Sequence, residues 1–355
     1  MIKINYFDKG AITETTLTKR FKTVKMLVFL LFLLVAIEAK PQTSAQDMGL
    51  KGNVRVLITH KHVAKNIVIE NNTLVSYEKL KLLHHIEHIF DKNGAMLAEN
   101  RFDYQDIIDI SFIYEYDASG KLIDLTVAKA GKILVGRTEY KYDKDGKKTQ
   151  EIEYDNLDSL KTTTVYKYDS SGNLINEKVY NKIFFVSKDV NYQYDANGNL
   201  ILVNCPKMNV GNGKPYKEVQ KFDDKNRLIY KSYTRLDTLK WEYFASYNKN
   251  DSLIYEELKD GNGNLQSYSK LTFKKNKRIS LKQYNYKAEF TQIDTYYQYD
   301  KQGRLLTEKL YTPDKKELLS VHTYFYDEKG NRIYCVEENK AKRVSIVHAW
   351  RFIFY

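Results

Sequence analysis

Hydrophobic and polar positions alternate along most of this chain, in short runs separated by acid- and glycine-rich corners. Marking the second aromatic of each Tyr-x-Tyr-Asp-like corner as position zero gives Phe90, Tyr116, Tyr142, Tyr168, Tyr194, Phe222, Tyr247, Phe273, Tyr299 and Tyr326. The steps between them are 26, 26, 26, 26, 28, 25, 26, 26 and 27 residues, the signature of a stacked supersecondary unit. Aromatics at zero and −2 point to one face of a strand, because side chains alternate along an extended chain.

The corners carry their own chemistry. The repeat-defining residues are Tyr116, Asp117 and Gly120; Tyr142, Asp143 and Gly146; Tyr168, Asp169 and Gly172; Tyr194, Asp195 and Gly198; Tyr299, Asp300 and Gly303; and Tyr326, Asp327 and Gly330. Aspartate at the first position of a type I turn accepts hydrogen bonds from turn amides, and glycine three residues later supplies a left-handed conformation. Each unit is therefore a hairpin, with position zero facing +6, where Leu122, Leu174, Leu200 and Leu305 recur. Position +7 is also apolar, as at Ile123, Ile175 and Ile201. Either the sheet curls so that both faces find cover, or the bulge falls one residue from the assumed place. Asn226, Asp251 and Lys277 replace the corner glycine in the middle copies, Asn204–Tyr216 reads as an inserted loop, and Phe352 with Trp350 keeps the frame to the last strand.

The expected fold is all-β: tandem hairpins of period 26 forming a long, curved antiparallel meander or spiral sheet. Residues 1–45 read as an N-terminal extension and signal peptide, 46–89 as a capping segment, and 90–355 as the repeat array. The leader rests on Met26–Ile37, twelve apolar residues behind Lys22 and Lys25, too short for a membrane span. Cleavage is expected after Ala45, with Ala39 as the competitor and Met26 as an alternative start. No transmembrane helix is expected in the mature chain, which is placed in the periplasm, at the cell surface or outside the cell.

Composition agrees. Thirty tyrosines against four prolines, with 43% hydrophobic residues, suit half-buried pleated surfaces. Residues 1–45 supply four of the twelve net positive charges, and the remaining eight are dispersed among mixed Lys and Glu, so no nucleic-acid-binding patch is expected.

At Tyr166–Leu174 and Tyr192–Leu200 the sequence resembles the YD-repeat, or Rhs-repeat, family, and the resemblance covers about residues 86–335. It implies secreted or surface-located β-sheet spirals, hollow shells around a toxin in some members, and carbohydrate binding. This chain has a longer period, reads as too short to build a closed shell, and ends inside the array.

No catalytic, cofactor or metal site is expected. His84, His85 and His88 would converge only on a helix, and His88 occupies the −2 aromatic slot. Cys205 and Cys335 lie about ten strands apart, ~48 Å at the usual strand spacing, beyond disulfide reach unless the sheet closes on itself. Glu99, Glu151, Glu177, Glu256 and Glu308 recur at +9 and read as a solvent-face row. The functional expectation is an exported, non-enzymatic scaffold or binding surface, with a glycan or cell-envelope component as the partner class. The alternatives are an outer-membrane barrel, suggested by the terminal Trp350–Tyr355, and a component of a polymorphic-toxin system.

Overall fold

The computed structural model describes residues 44–70, 73–183, 185–209, 213–286, 292–340 and 343–354. Met26–Ile37 and the alternative cleavage point after Ala39 lie outside them. Among the described residues the chain forms twenty-two antiparallel strands, β1 (Val54–Glu70) to β22 (Val344–Phe354), with one 3-10 turn at Pro313–Lys315. Each strand bonds to its sequence neighbours, and β1 also pairs with β22. The sheet therefore closes into a barrel. The meander order of the sequence reading stands, but the open or spiral sheet does not. Closure removes the two exposed edges that such a meander would otherwise carry. At the usual strand spacing and tilt, a ring of this strand number has a diameter on the order of 40 Å.

The seam is built from two half-repeats. Phe354 faces Val54, Ile353 faces Val56, and Arg55 is left out of the ladder as a bulge. Gly52 precedes, with φ +86°, and a Cβ added there would lie 3.2 Å from the Phe354 ring. Lys51-Gly52-Asn53-Val54 thus completes, from the other end of the chain, the corner that β22 begins. Asn331 reinforces it: its Oδ1 accepts from Lys51 N at 2.8 Å and its Nδ2 donates to Lys51 O at 3.2 Å.

A bulge follows every corner. Tyr116 pairs with Leu122 and Glu115 with Asp124, so Ile123 has no partner. The same skip falls at Ile175, Ile201, Ile229, Ile254 and Ile333. A bulged residue stands outside the alternation of the strand, so adjacent apolar residues at +6 and +7 need not commit both faces. At Phe273 the corner is shorter: Lys274 faces Lys277 across a two-residue turn in which Lys275 and Asn276 both have positive φ. Such a type I′ turn matches strand twist, and it brings Arg278 rather than Ile279 opposite Phe273.

The segment 46–89, expected as a cap, supplies β1 and most of β2 (Thr73–Phe90), the two longest strands of the wall. β1 pairs with β22 only over Val54–Ala64, and β2 pairs with β3 (Met96–Phe102) only over His85–Phe90. Beyond those points the two strands pair with each other alone. The hairpin arm leans on the wall, where Ile67, Leu74 and Tyr77 pack against Phe325, Val336 and Val347. The inserted loop is also shorter than expected, because Asn204–Met208 belong to β11 (Leu200–Met208).

Candidate functional site

The corner residues tie their own turns and couple each hairpin to the next. Asp117 Oδ1 accepts from Ser119 N at 2.8 Å and Lys121 N at 2.9 Å, and the same pair of bonds recurs at Asp143 and Asp195. The corner glycines all have positive φ. The position-zero hydroxyl then reaches back one repeat to the carbonyl of the residue that faces the preceding position zero, beside the bulge. Tyr116 donates to Met96, Tyr142 to Leu122, Tyr168 to Lys148, Tyr194 to Leu174, Tyr247 to Leu228, Tyr299 to Arg278 and Tyr326 to Leu305, at 2.7–2.9 Å. These bonds form a latch around one rim.

Cations from the preceding corner cover the same rings. Lys121 stands over Tyr142, Lys147 over Tyr168, Arg227 over Tyr247, Lys277 over Tyr299 and Arg304 over Tyr326, each within 5.6 Å of the centroid. A cation placed in this way takes one of the two faces on which a sugar could stack.

The +9 glutamates are not a solvent row. Glu151 accepts from Tyr166 at 3.1 Å, Glu177 from Tyr192 at 3.2 Å and Glu256 from Tyr243 at 3.0 Å. They share the tyrosine face. The opposite face carries charge as well: Arg137 bonds Asp124 and Glu139 there, and Lys141, Lys167 and Lys221 are exposed.

The two rims differ. Asp, Lys, Asn and Gly fill the tyrosine-corner turns. At the other rim, the turns and the hairpin arm hold every large apolar residue more than half exposed among those described. They include Tyr104, Ile107, Leu157, Ile183 and Leu236.

The remaining candidates separate in two ways. Cys205 and Cys335 are free and buried. The closed ring does not join them, because β11 and β21 (Arg332–Asn339) lie nearly opposite each other around it. Burial pushes the Cys335 thiol up to about 12, so it is inert at neutral pH. His84 and His88 share the tyrosine face, whereas His85 points to the other, as the register with Lys61, His60 and Leu57 shows. The three do not converge. His85 instead meets two residues the sequence reading did not select, His60 across the ladder and Asp106 from the next turn, with potential ligand atoms all within 4.8 Å of one another. Burial, then the neighbouring His85, His62 and Lys79, holds His60 down to about 4, while Asp106 opposes the shift. The His60-x-His62 pair, two residues on one strand face, was the available signal.

No family model matches the chain, and no curated protein does. Among solved structures it is similar to the TcdB2-TccC3-Cdc42 crystal structure, with TM-score 0.38 and 14% identity over 82% of this chain and 18% of that one. The Photorhabdus luminescens Tc holotoxin pore gives 0.35 and 13% over 79% of this chain and 17% of that one. A porin-like protein from Bacteroides uniformis gives 0.30 and 9% over 84% of this chain and 98% of that one. The chain thus spans less than a fifth of the two toxin chains. None of these likenesses carries weight for function.

Proposed function

We propose that this chain is an exported, non-enzymatic hollow barrel, an open shell with water on both sides of its wall, which seats its apolar rim on a partner surface in the cell envelope. The observation that carries the reading is charge on both faces of a closed wall. Glu151, Glu177 and Lys231 lie on the tyrosine face, and Arg137 and Lys178 on the other. Whichever face looks outward, lipid would meet charge at mid-strand, and each Lys or Arg at the bilayer midplane costs about 2–4 kcal/mol. The most exposed apolar residues gather instead at the rim of Tyr104, Leu157 and Ile183. The leader of the sequence supports export. The YD-repeat resemblance supports a shell, and closure of the ring removes the objection that the chain is too short to enclose a space.

An outer-membrane barrel is the second reading, favoured by the even strand number and the row of aromatics along one rim. Expression with the leader, followed by fractionation, separates the two. The shell reading expects an exported protein soluble without detergent, hollow rings in negative-stain images and a gel mobility that heating does not change. Carbonate-resistant membrane association with heat-modifiable mobility would replace it with the membrane barrel.

A further inference from the structure

The root of the first hairpin holds a cluster of nitrogen and oxygen donors that the shell does not use. His60 on β1 and His85 on β2 face each other in the ladder, with ring centroids 4.2 Å apart. His62 stacks on His60 at 5.6 Å, and Phe102 covers the other side of His85 at 3.9 Å. Asp106 reaches in from the turn after β3, its Oδ1 2.5 Å from His85 Nδ1. The turn fixes that residue: Asp106 N donates to Asp103 O, and its φ is +66°.

The independent sign of a ligand is unsatisfied polarity. His62 and His85 are each only 7% exposed. Both ring nitrogens of His62, which stacks on His60, have no hydrogen-bond partner. Buried polar atoms are almost always paired, and an ion is one of the few things that accounts for a group of them left open.

We propose that His60, His85 and Asp106 bind a divalent metal of the zinc class, with His62 as the further donor. Imidazole nitrogen with one carboxylate oxygen suits Zn2+ and its borderline neighbours, whereas Ca2+ and Mg2+ prefer an all-oxygen shell. The ion replaces the shared proton between His85 and Asp106. It clips β1, β2 and the turn after β3 together where the arm leaves the wall, so its role is structural.

The test uses the full mature chain without a histidine tag, stripped with chelator and titrated with Zn2+ alone against a chromophoric chelator. The expected result is one equivalent per chain, a thermal midpoint raised by Zn2+ and not by Mg2+, and Cu2+ electron paramagnetic resonance showing imidazole nitrogen. His60→Gln, His62→Gln and Asp106→Asn should each weaken binding by more than about tenfold. His84→Gln, on the opposite face, should leave it unchanged. Asp106 lies on an exposed turn, so Asp106→Asn keeps the fold, and an unaltered circular dichroism spectrum checks that. Absence of stoichiometric binding by the folded chain, or undiminished binding by the His60→Gln/Asp106→Asn double variant, would overturn the site.

Discussion

Phe354 lies opposite Val54, on the last and first strands of the wall, in the relation that Tyr116 holds to Leu122 within one hairpin. Lys329 Nζ sits 3.6 Å from the centre of the Phe354 ring, as lysines and arginines do over the internal tyrosines. The seam is therefore a repeat corner without its covalent link. Phe354→Ala should open it, costing on the order of 2 kcal/mol, less than a fully buried aromatic would. Ile353→Ala, on the exposed face, should cost well under half of that. Urea melts of the two variants, with sedimentation to detect pairing through freed edges, check this; equal midpoints would contradict the seam.

The latch gives a prediction with two signs. Tyr168→Phe removes only the hydroxyl that donates to the Lys148 carbonyl and should cost about 1 kcal/mol. Phe222 occupies the same slot one repeat beyond Tyr194 and has no hydroxyl to give to the carbonyl of Leu200. Phe222→Tyr should therefore stabilise the barrel by about 0.5–1.5 kcal/mol. Denaturant midpoints at constant m-value read both changes. A destabilising Phe222→Tyr would show that the hydroxyl finds no acceptor there.

The repeat and its corners were legible because they are local: a turn aspartate, a left-handed glycine and alternating strands are all written within a dozen residues. Closure was not, because Gly52-Asn53-Val54 carries only the second half of a corner whose first half ends at Phe354. A half-motif has no spacing to measure. The +9 glutamates looked solvent-facing for a related reason. Glu151 and Glu177 meet the tyrosines of the following hairpin, so their partners appear only once neighbouring units are placed side by side. His60, His85 and Asp106 come from two strands and a turn, and adjacency of His84 to His85 hid the fact that they face opposite ways. Paired apolar residues at +6 and +7 were ambiguous until the bulge took Ile123 out of the alternation.

Acid should act on the buried histidines of the first hairpin before it reaches the corners. The side chain of Asn173, followed by its backbone amide, holds the Asp169 carboxyl below its ordinary value of 3.8, and Asn199 and Asn264 do the same for Asp195 and Asp260. A folded pKa below the unfolded one contributes stability that is fully present above the unfolded value and is lost as pH falls through the folded one. The urea midpoint should therefore begin to fall below about pH 6.5, as the unfolded chain protonates His60, His62 and His84, which burial holds below their ordinary value in the fold, and fall further below about pH 4 as the corner carboxylates are protonated. Asp169→Asn should be less stable at neutral pH and show a shallower acid decline. A decline below pH 4 that Asp169→Asn leaves unchanged would show that this carboxylate does not hold its corner.

The last prediction concerns where the mature chain begins. Sequence pattern favours cleavage after Ala45, yet Ala45 is buried among Val54, Leu57, Phe90 and Met96. Its amide donates to Gly94 O at 2.8 Å, and its carbonyl accepts from Leu50 N at 3.0 Å. Ser44 bridges to Ala95 and caps the turn through its Oγ, which accepts from Asp47 N at 3.0 Å. A signal peptidase cutting after Ala45 would remove these two residues from a packed cluster beside the seam. It would also leave a charged amine at Gln46, next to apolar Met48 and Leu50. Cleavage after Ala39 keeps the whole segment and still places a small residue at the cut. The exported protein should therefore begin at Lys40, as read by N-terminal sequencing and intact mass. A version starting at Gln46 should melt earlier, by the loss of a small buried side chain and two backbone bonds, about 1–3 kcal/mol. Recovery of Gln46 as the natural first residue, with no loss of stability, would mean that the Ser44–Ala45 contacts are dispensable.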